Sequence, residues 1–370
     1  MTICAARRIF RRGALGHILK RIKMAENKFY HGELSRAWAI WRYGPFGGKY
    51  MSYRLPGVVV TKKGTIIVYC EARTHKDIDN VYPNLNDFCL MDIVMQRSTD
   101  GGLTFDEGQF LAFGNTQYDT MNNPIMIVDN DNVIHFLHCK NCTKDGGGAW
   151  YRRSVDDGVT WSEPRRLDEF ITAPKDLMGF GPGHGLCTEG GRLIVPFWTL
   201  TLQGNINEVY TLYSDDGGET WHTSEKASAN KDETTVAQLS DGRIMLNSRN
   251  KPRRITVSAD GATGWSESYD DPNLIDPFCM GGMETVRVEG LPHAILFVNC
   301  ADDKKREKVT IKCSFDDGKT WRSMLVSEFE GGYADVAVDE KTGKGYVIYE
   351  TFMGTVTRLA TFSFYDEFCK

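Results

Sequence analysis

One pattern recurs along the chain and limits its architecture more than any other feature: Ser-x-Asp-x-Gly-x-Thr followed at once by an aromatic residue. Full copies run over Ser98–Phe105, Ser154–Trp161, Ser214–Trp221 and Ser314–Trp321. A degenerate copy with Ser258, Asp260 and Trp265 has lost the Gly and Thr at their expected places. The steps from one Ser to the next are 56, 60, 44 and 56 residues, close to the length of one four-stranded propeller blade. Each residue type suits a tight turn. The Asp and Ser side chains can bond to neighbouring backbone groups, Gly supplies positive φ, and the aromatic packs between adjacent sheets. Strand-like runs such as IVMQRS and VTIKCS precede the copies, and short strands with turn signals at regular spacing predict an all-β propeller. The repeats build corners and do no chemistry.

Composition narrows the function classes. The 370 residues are 41% hydrophobic and 25% charged, ordinary for a globular chain. A formal net charge of -5 and a pI near 6.0 argue against a nucleic-acid partner, which calls for a basic stripe. No apolar run reaches the length of a membrane span. Residues 1–25 carry seven Arg or Lys and no acid. They lack the continuous apolar core and cleavage site of a secretory signal, and read as a disordered basic extension ahead of a single domain over 26–370. A cytoplasmic location is the expectation, with export by another route left open. Ten cysteines are too sparse for a disulfide scaffold. Cys70, Cys139, Cys300 and Cys313 stand in apolar runs and read as reduced core residues. His135, His138, Cys139 and Cys142 cluster as metal ligands do, but strand alternation turns the two histidines to opposite faces, so no metal site is expected there.

The segments between the repeats carry the chemistry. Arg54 stands in Tyr-Arg-Leu-Pro-Gly, Arg249 in LNSRN, Arg306 in KKREKVTIKCS and Tyr333 in GGYADVAVD. Glu233 lies in DETTVAQLSDGRIMLNSR, 16 residues ahead of Arg249, and Glu350 closes VIYE. Together with the repeats, which match the Asp-box, these segments resemble the retaining exo-α-sialidase family from about Arg54 to Glu350. The resemblance implies a six-bladed, sialidase-like β-propeller and hydrolysis of terminal sialic acids from glycoconjugates. Its implied site has Arg54, Arg249 and Arg306 clamping the substrate carboxylate, because a guanidinium gives bidentate bonds and stays charged when desolvated. Tyr333 matches the nucleophile. The anomeric carbon of sialic acid bears a carboxylate that repels an anionic attacker, which favours a neutral phenol over the usual carboxylate. With a reference pKa of about 10, that phenol needs a base within reach. Glu233 matches the base, with Asp232 as a weaker substitute, and Glu350 matches the acid that orients the first arginine.

The acid/base aspartate is less well fixed. The family places it about six residues beyond the arginine of a segment like Glu71-Ala72-Arg73, and a set distance ahead of the first Asp-box. Counting forward gives Asp79, whereas counting back from Ser98 through DFCLMDIVMQRS gives Asp87. Asp87 is favoured because the strand and box downstream fix its register; Asp77 and Asp79 stay open. Arg73 is a supporting residue, and Asn123, before Pro124, stands where many relatives have an Asp that meets ring hydroxyls. His184, in GFGPGHGL, has a substrate contact and a structural role both open to it. Trp150 and Trp198 are candidates for the acetamido pocket or for core packing. The resemblance implies sialylated glycans as partners, no organic cofactor and no catalytic metal. Three other readings stay open: a catalytically silent sialic-acid-binding propeller, an Asp-box hydrolase for another acidic or neutral glycan, and a trans-sialidase, which shares every residue named.

Overall fold

Runs rich in apolar and β-branched residues, the longest of nine residues, form the strands, and most strands pair antiparallel with their sequence neighbours. The computed structural model describes residues 35–42, 49–74, 90–116, 119–141, 147–329, 331–351, 354 and 356–370. The basic stretch 1–25, Cys142, Asp77, Asp79 and Asp87 lie outside the described residues.

Six sheets form a ring, giving the all-β six-bladed propeller. Blade I comprises Ser52–Val60, Ile66–Arg73, Met91–Ser98 and Gln109–Ala112, from the axis outward. Blade II comprises Met121–Val128, Ile134–Lys140, Gly148–Ser154 and Arg165–Arg166. Blade III has a split inner position, Leu177–Phe180 and Leu186–Cys187, then Leu193–Thr201, Ile206–Ser214 and His222–Thr223. Blade IV comprises Thr234–Gln238, Ile244–Ser248, Arg254–Ser258 and Tyr269–Asp270. Blade V comprises Gly282–Val286, Ala294–Cys300, Val309–Ser314 and Arg322–Ser327. Blade VI takes Ala334–Val338, Lys344–Thr351 and Val356–Ser363 from the end of the chain, and its outermost strand, Ser35–Arg42, from the other end. Inner strands of successive blades touch all the way round, and blade VI meets blade I.

Each repeat sits where the third strand of a blade turns into the fourth. In blade III, Ser214 Oγ donates to Asp216 Oδ1 at 2.8 Å and accepts from Gly218 N at 2.9 Å. Both Asp216 oxygens accept from Thr220, at 2.8 Å from its N and 2.5 Å from its Oγ1. Gly218 has φ 84°, and a Cβ there would lie 2.6 Å from Tyr151 Oη of blade II. Trp221 packs edge-on to that same Tyr151, 5.7 Å between centroids, so the turn is also the inter-blade cement. The degenerate copy is one residue shorter inside, and its roles survive. Gly261 N reaches Ser258 Oγ at 3.1 Å and Thr263 N reaches Asp260 Oδ1 at 2.8 Å, so Gly and Thr have moved one position earlier.

This topology separates scaffold from site. Ser98 pairs with Ile66 and Met91 with Arg73, so the box lies seven residues, about 23 Å, from the strand end that carries Arg73. Arg54, Glu71 and Arg73 stand at one end of blade I; the boxes stand at the other.

Candidate active site

Residues at the box-free end of the ring line a cavity of about 480 Å³. Three blades fill the same two slots there, the start of the inner strand and the facing end of the second. Blade I supplies Arg54 opposite Glu71. Blade IV supplies Glu233 and Arg249, joined by Arg249 N to Glu233 O at 2.7 Å, and blade VI supplies Tyr333 and Glu350, joined by Glu350 N to Tyr333 O at 2.9 Å. Arg306 reaches in from the exposed loop between the second and third strands of blade V.

The phenol of Tyr333 is the hub. Its hydroxyl donates to Glu233 Oε1 at 2.6 Å and accepts from Arg249 Nη1 at 2.9 Å. Arg249 Nη1 also lies 2.6 Å from Glu233 Oε2. The guanidinium carbons of Arg54 and Arg306 lie 5.3 and 5.4 Å from the Tyr333 ring centroid. Three cations thus converge on one buried phenol. Glu350 is the buried bracket: Oε1 accepts from Arg54 Nε at 2.7 Å and Leu55 N at 2.9 Å, while Oε2 accepts from Tyr333 N at 3.2 Å. Gly332 must be glycine for this, since a Cβ there would meet Glu350 Oε2 at 2.5 Å. Asp232 takes Arg249 through Nε and Nη2, at 2.9 and 2.5 Å. Of the two neighbouring acids, therefore, Glu233 touches the phenol and Asp232 holds the arginine. Among the described residues the Arg306 guanidinium makes no hydrogen bond or ion pair with the protein.

Burial sets the proton affinities. Desolvation raises the Glu233 carboxyl to about 7 against the opposing pull of Arg249, and raises the Tyr333 phenol well above its ordinary value, with Glu233 adding to the effect. Burial works against the charge on Arg54, but Glu350 and the Tyr333 oxygen outweigh it and its pKa rises. A neutral phenol hydrogen-bonded to a carboxyl that titrates near neutrality is a proton donor beside a base of adjustable charge.

Other sequence-derived candidates separate clearly. Arg73 is buried, lines the cavity and is paired with Glu71 at 2.8 Å. Asn123 lines the cavity too, donates from its backbone N to Glu71 Oε1 at 2.8 Å and from Nδ2 to Phe180 O at 3.1 Å. Trp198 lies on the cavity wall, whereas Trp150 sits under the Arg166 guanidinium, 5.6 Å away. His184 faces the ring axis, with Nδ1 2.9 Å from Asp335 and Nε2 2.7 Å from Glu284. Asp335 also accepts from Val58 N at 3.0 Å, so this imidazole pins blades together. His135 bonds Tyr151 and Asp129, while His138 stacks on Phe136; the strand does turn them apart. Sequence reasoning passed over Glu71 as a positioning acid, and Asn122, Leu177, Leu200 and Asn207 as cavity walls. One signal would have found Asn122: like Arg54, it stands two residues ahead of a proline at the start of an inner strand.

Fold and pocket together define a six-bladed propeller in which three arginines surround a buried tyrosine. Residues 90–347 match the BNR repeat-like domain, and the chain belongs to that family. Its relatives include the sialidase of Bacteroides fragilis, 26% identical over 341 residues, covering 83% of this chain and 61% of that one. Another is the sialidase of Micromonospora viridifaciens, 28% identical over 312 residues, 73% and 45% of the two chains. This chain spans about three fifths or less of those two relatives. Among solved structures, the Hadza microbial sialidase Hz136 superposes with a TM-score of 0.77 at 25% identity, over 88% of this chain and 68% of that one. The Trypanosoma rangeli sialidase in complex with sialic acid gives 0.70 at 19%, over 86% and 55%, a likeness of fold alone.

Proposed function

We propose that the protein is an exo-acting sialidase that hydrolyses terminal sialic acids with retained configuration. The observation that carries this reading is the convergence of Arg54, Arg249 and Arg306 on Tyr333, whose hydroxyl donates to Glu233 at 2.6 Å. The arginines take the substrate carboxylate, which sets the anomeric carbon C2 beside the phenol. Tyr333 passes its proton to Glu233 and its oxygen bonds to C2 while the bond from C2 to the leaving oxygen breaks. An aspartate, Asp87 in preference to Asp79, protonates that leaving oxygen. Water then attacks C2, Asp87 takes the water proton, and the phenolate recovers its own from Glu233. Two inversions at one carbon give retention. The substrates are sialylated glycans, and no step calls for a metal or an organic cofactor.

Release of a fluorogenic aglycone from an α-sialoside tests the reading, with proton NMR of the first-formed anomer reporting the stereochemistry. Binding of free sialic acid without turnover would make the protein a silent sialic-acid-binding propeller. Inverted product would remove Tyr333 as nucleophile. Asp87→Ala and Asp79→Ala, assayed on substrates with good and poor leaving groups, assign the acid: the true one loses far more rate on the poor leaving group.

A further inference from the structure

One exposed aromatic side chain stands on a backbone that does not suit it. Phe278 has φ 72°, a left-handed conformation that glycine adopts freely and a bulky residue resists. It lies between the outermost strand of blade IV, Tyr269–Asp270, and the innermost strand of blade V, Gly282–Val286, and it is 47% exposed. Three fully buried residues, Arg253, Asp276 and Asn299, fix the peptides around it. Asp276 Oδ1 accepts from Cys279 N at 2.6 Å, and Arg253 Nη1 donates to Cys279 O at 2.7 Å. Asn299 Nδ2 donates to Asp276 Oδ2 and to Ile275 O, both at 2.9 Å. Arg253 is itself held by Asn247, through Nε at 2.7 Å and Nη2 at 2.8 Å. Backbone strain of this kind persists only where the surroundings over-determine it, and it gathers at functional sites.

What the clamp secures is a contact. The guanidinium carbon of Arg249 lies 4.8 Å from the centroid of the Phe278 ring. Arg249 already gives Nε and Nη2 to Asp232 and Nη1 to Tyr333 and Glu233. Those bonds fix the edges of the guanidinium plane, and Phe278 covers a face of it. Phe278 is not among the cavity walls that Arg249 helps to form, so its half-exposed ring meets the guanidinium from the solvent side. The Arg249 side chain keeps only 15% of its surface exposed. An ion pair strengthens where water is kept away and weakens where water and salt reach it.

We infer that Phe278 is a positioning residue that acts through Arg249: its ring caps the guanidinium and keeps water and salt from the pair that Arg249 makes with the substrate carboxylate. This rests on the sialidase reading, in which Arg249 takes that carboxylate. The carboxylate stays in place from bound substrate to transition state, so the cap strengthens both alike and shows in KM rather than in kcat. The strained backbone supplies a second signature. Glycine at this position relieves the strain and removes the cap, so the fold holds while the site weakens.

The test sets Phe278→Gly, which frees the backbone, beside Phe278→Tyr, which keeps the ring. On a fluorogenic α-sialoside, Phe278→Gly is expected to raise KM by about three- to thirtyfold at unchanged kcat. Its KM should also climb more steeply with sodium chloride than that of wild type. Its melting temperature should equal or exceed that of wild type, and Phe278→Tyr should keep the wild-type KM and salt dependence. A residue that only holds the fold gives another pattern: the melting temperature falls while KM and its salt dependence stay put. That pattern, or a wild-type KM in a stably folded Phe278→Gly, overturns the assignment. Should the glycine variant not fold, Phe278→Asn, also suited to this φ, gives the same readouts. If wild type turns over no sialoside, the hydrolase reading falls by itself, and calorimetry with free sialic acid decides the cap. A Kd about three- to thirtyfold weaker and more salt-sensitive in Phe278→Gly supports it; equal values, or no binding by wild type, refute it.

Discussion

Replacing Glu233 with Gln should make the protein more stable at neutral pH than at acid pH, relative to wild type, while abolishing turnover. Burial raises the Glu233 carboxyl from 4.5 to about 7. The folded state thus binds this proton more tightly than the unfolded chain does. For a group raised on folding, the stabilisation is fully present below the unfolded value and is lost as pH climbs through the folded one. From below pH 4.5 to above pH 7 wild type therefore loses about 3.5 kcal/mol from this group, the rise from 4.5 to about 7 multiplied by about 1.4 kcal/mol per pH unit. The neutral amide escapes that loss. At about 2.1 cal/mol/K per residue, unfolding a chain of 370 residues carries about 0.8 kcal/mol/K. The variant's melting temperature should then gain roughly 4–5 °C on wild type as pH rises across that window. Thermal melts of both proteins at half-unit steps from pH 4 to pH 8 give the difference directly, free of any constant offset from the altered contacts with Arg249 and Tyr333. A difference that stays flat, or that moves toward wild type as pH rises, would refute the claim that desolvation outweighs the 2.6 Å contact with Arg249. The same titration predicts that kcat/KM of wild type climbs with an apparent pKa near 7 on its acid limb, since Glu233 must be ionised to accept the phenolic proton.

Tyr333→Phe removes the attacking oxygen while keeping the ring that lies between Arg54 and Arg306, so turnover should fall on the order of 10³-fold or more. Calorimetry should show sialic acid binding retained; normal turnover would end the nucleophile assignment. Glu350→Leu strands the buried Arg54 guanidinium and two backbone N–H groups, a loss of about 3–5 kcal/mol, visible as a large fall in urea midpoint. Asp216→Ala opens one box without touching the cavity, so the melting temperature should drop by a few degrees with kcat/KM unchanged. Asp216 is held at about 2 first by its bond from Thr220. Its contribution is present above the unfolded value and fades as pH falls through the folded one, and this acid-side slope should vanish in the variant.

The fold was legible because its signal is redundant: four full boxes place four blade corners, and the inner strands between them are continuous apolar runs. The inner position of blade III was not, because Gly181-Pro182 divides it and Gly183–His184 pairs with blade II instead. Arg54, Arg249, Arg306, Tyr333, Glu233 and Glu350 could be picked out as candidates because the segments around them resemble motifs of the exo-α-sialidase family. Their convergence could not, since it depends on which strand end faces the axis. Asp232 and Glu233 illustrate the limit. Adjacent carboxylates look equivalent in sequence, yet one residue of rotation along the chain sends one to Arg249 and the other to Tyr333. His184 shows the converse, a chemically suggestive residue spent on joining blades.

Blade VI is sewn from both ends of the described chain. Ser35–Arg42 lies along Val356–Ser363, which lies along Lys344–Thr351, which lies along Ala334–Val338. Only three ladders thus stand between the outermost thread and the loop that presents Tyr333. Trimming that thread would bare the edge of Val356–Ser363, and a naked edge invites a stranger. The same strand from a second molecule could lie there instead, trading hems between copies. An N-terminal tag fused close to Ser35 is thus a fusion beside the blade that carries Tyr333, although almost 300 residues of chain intervene.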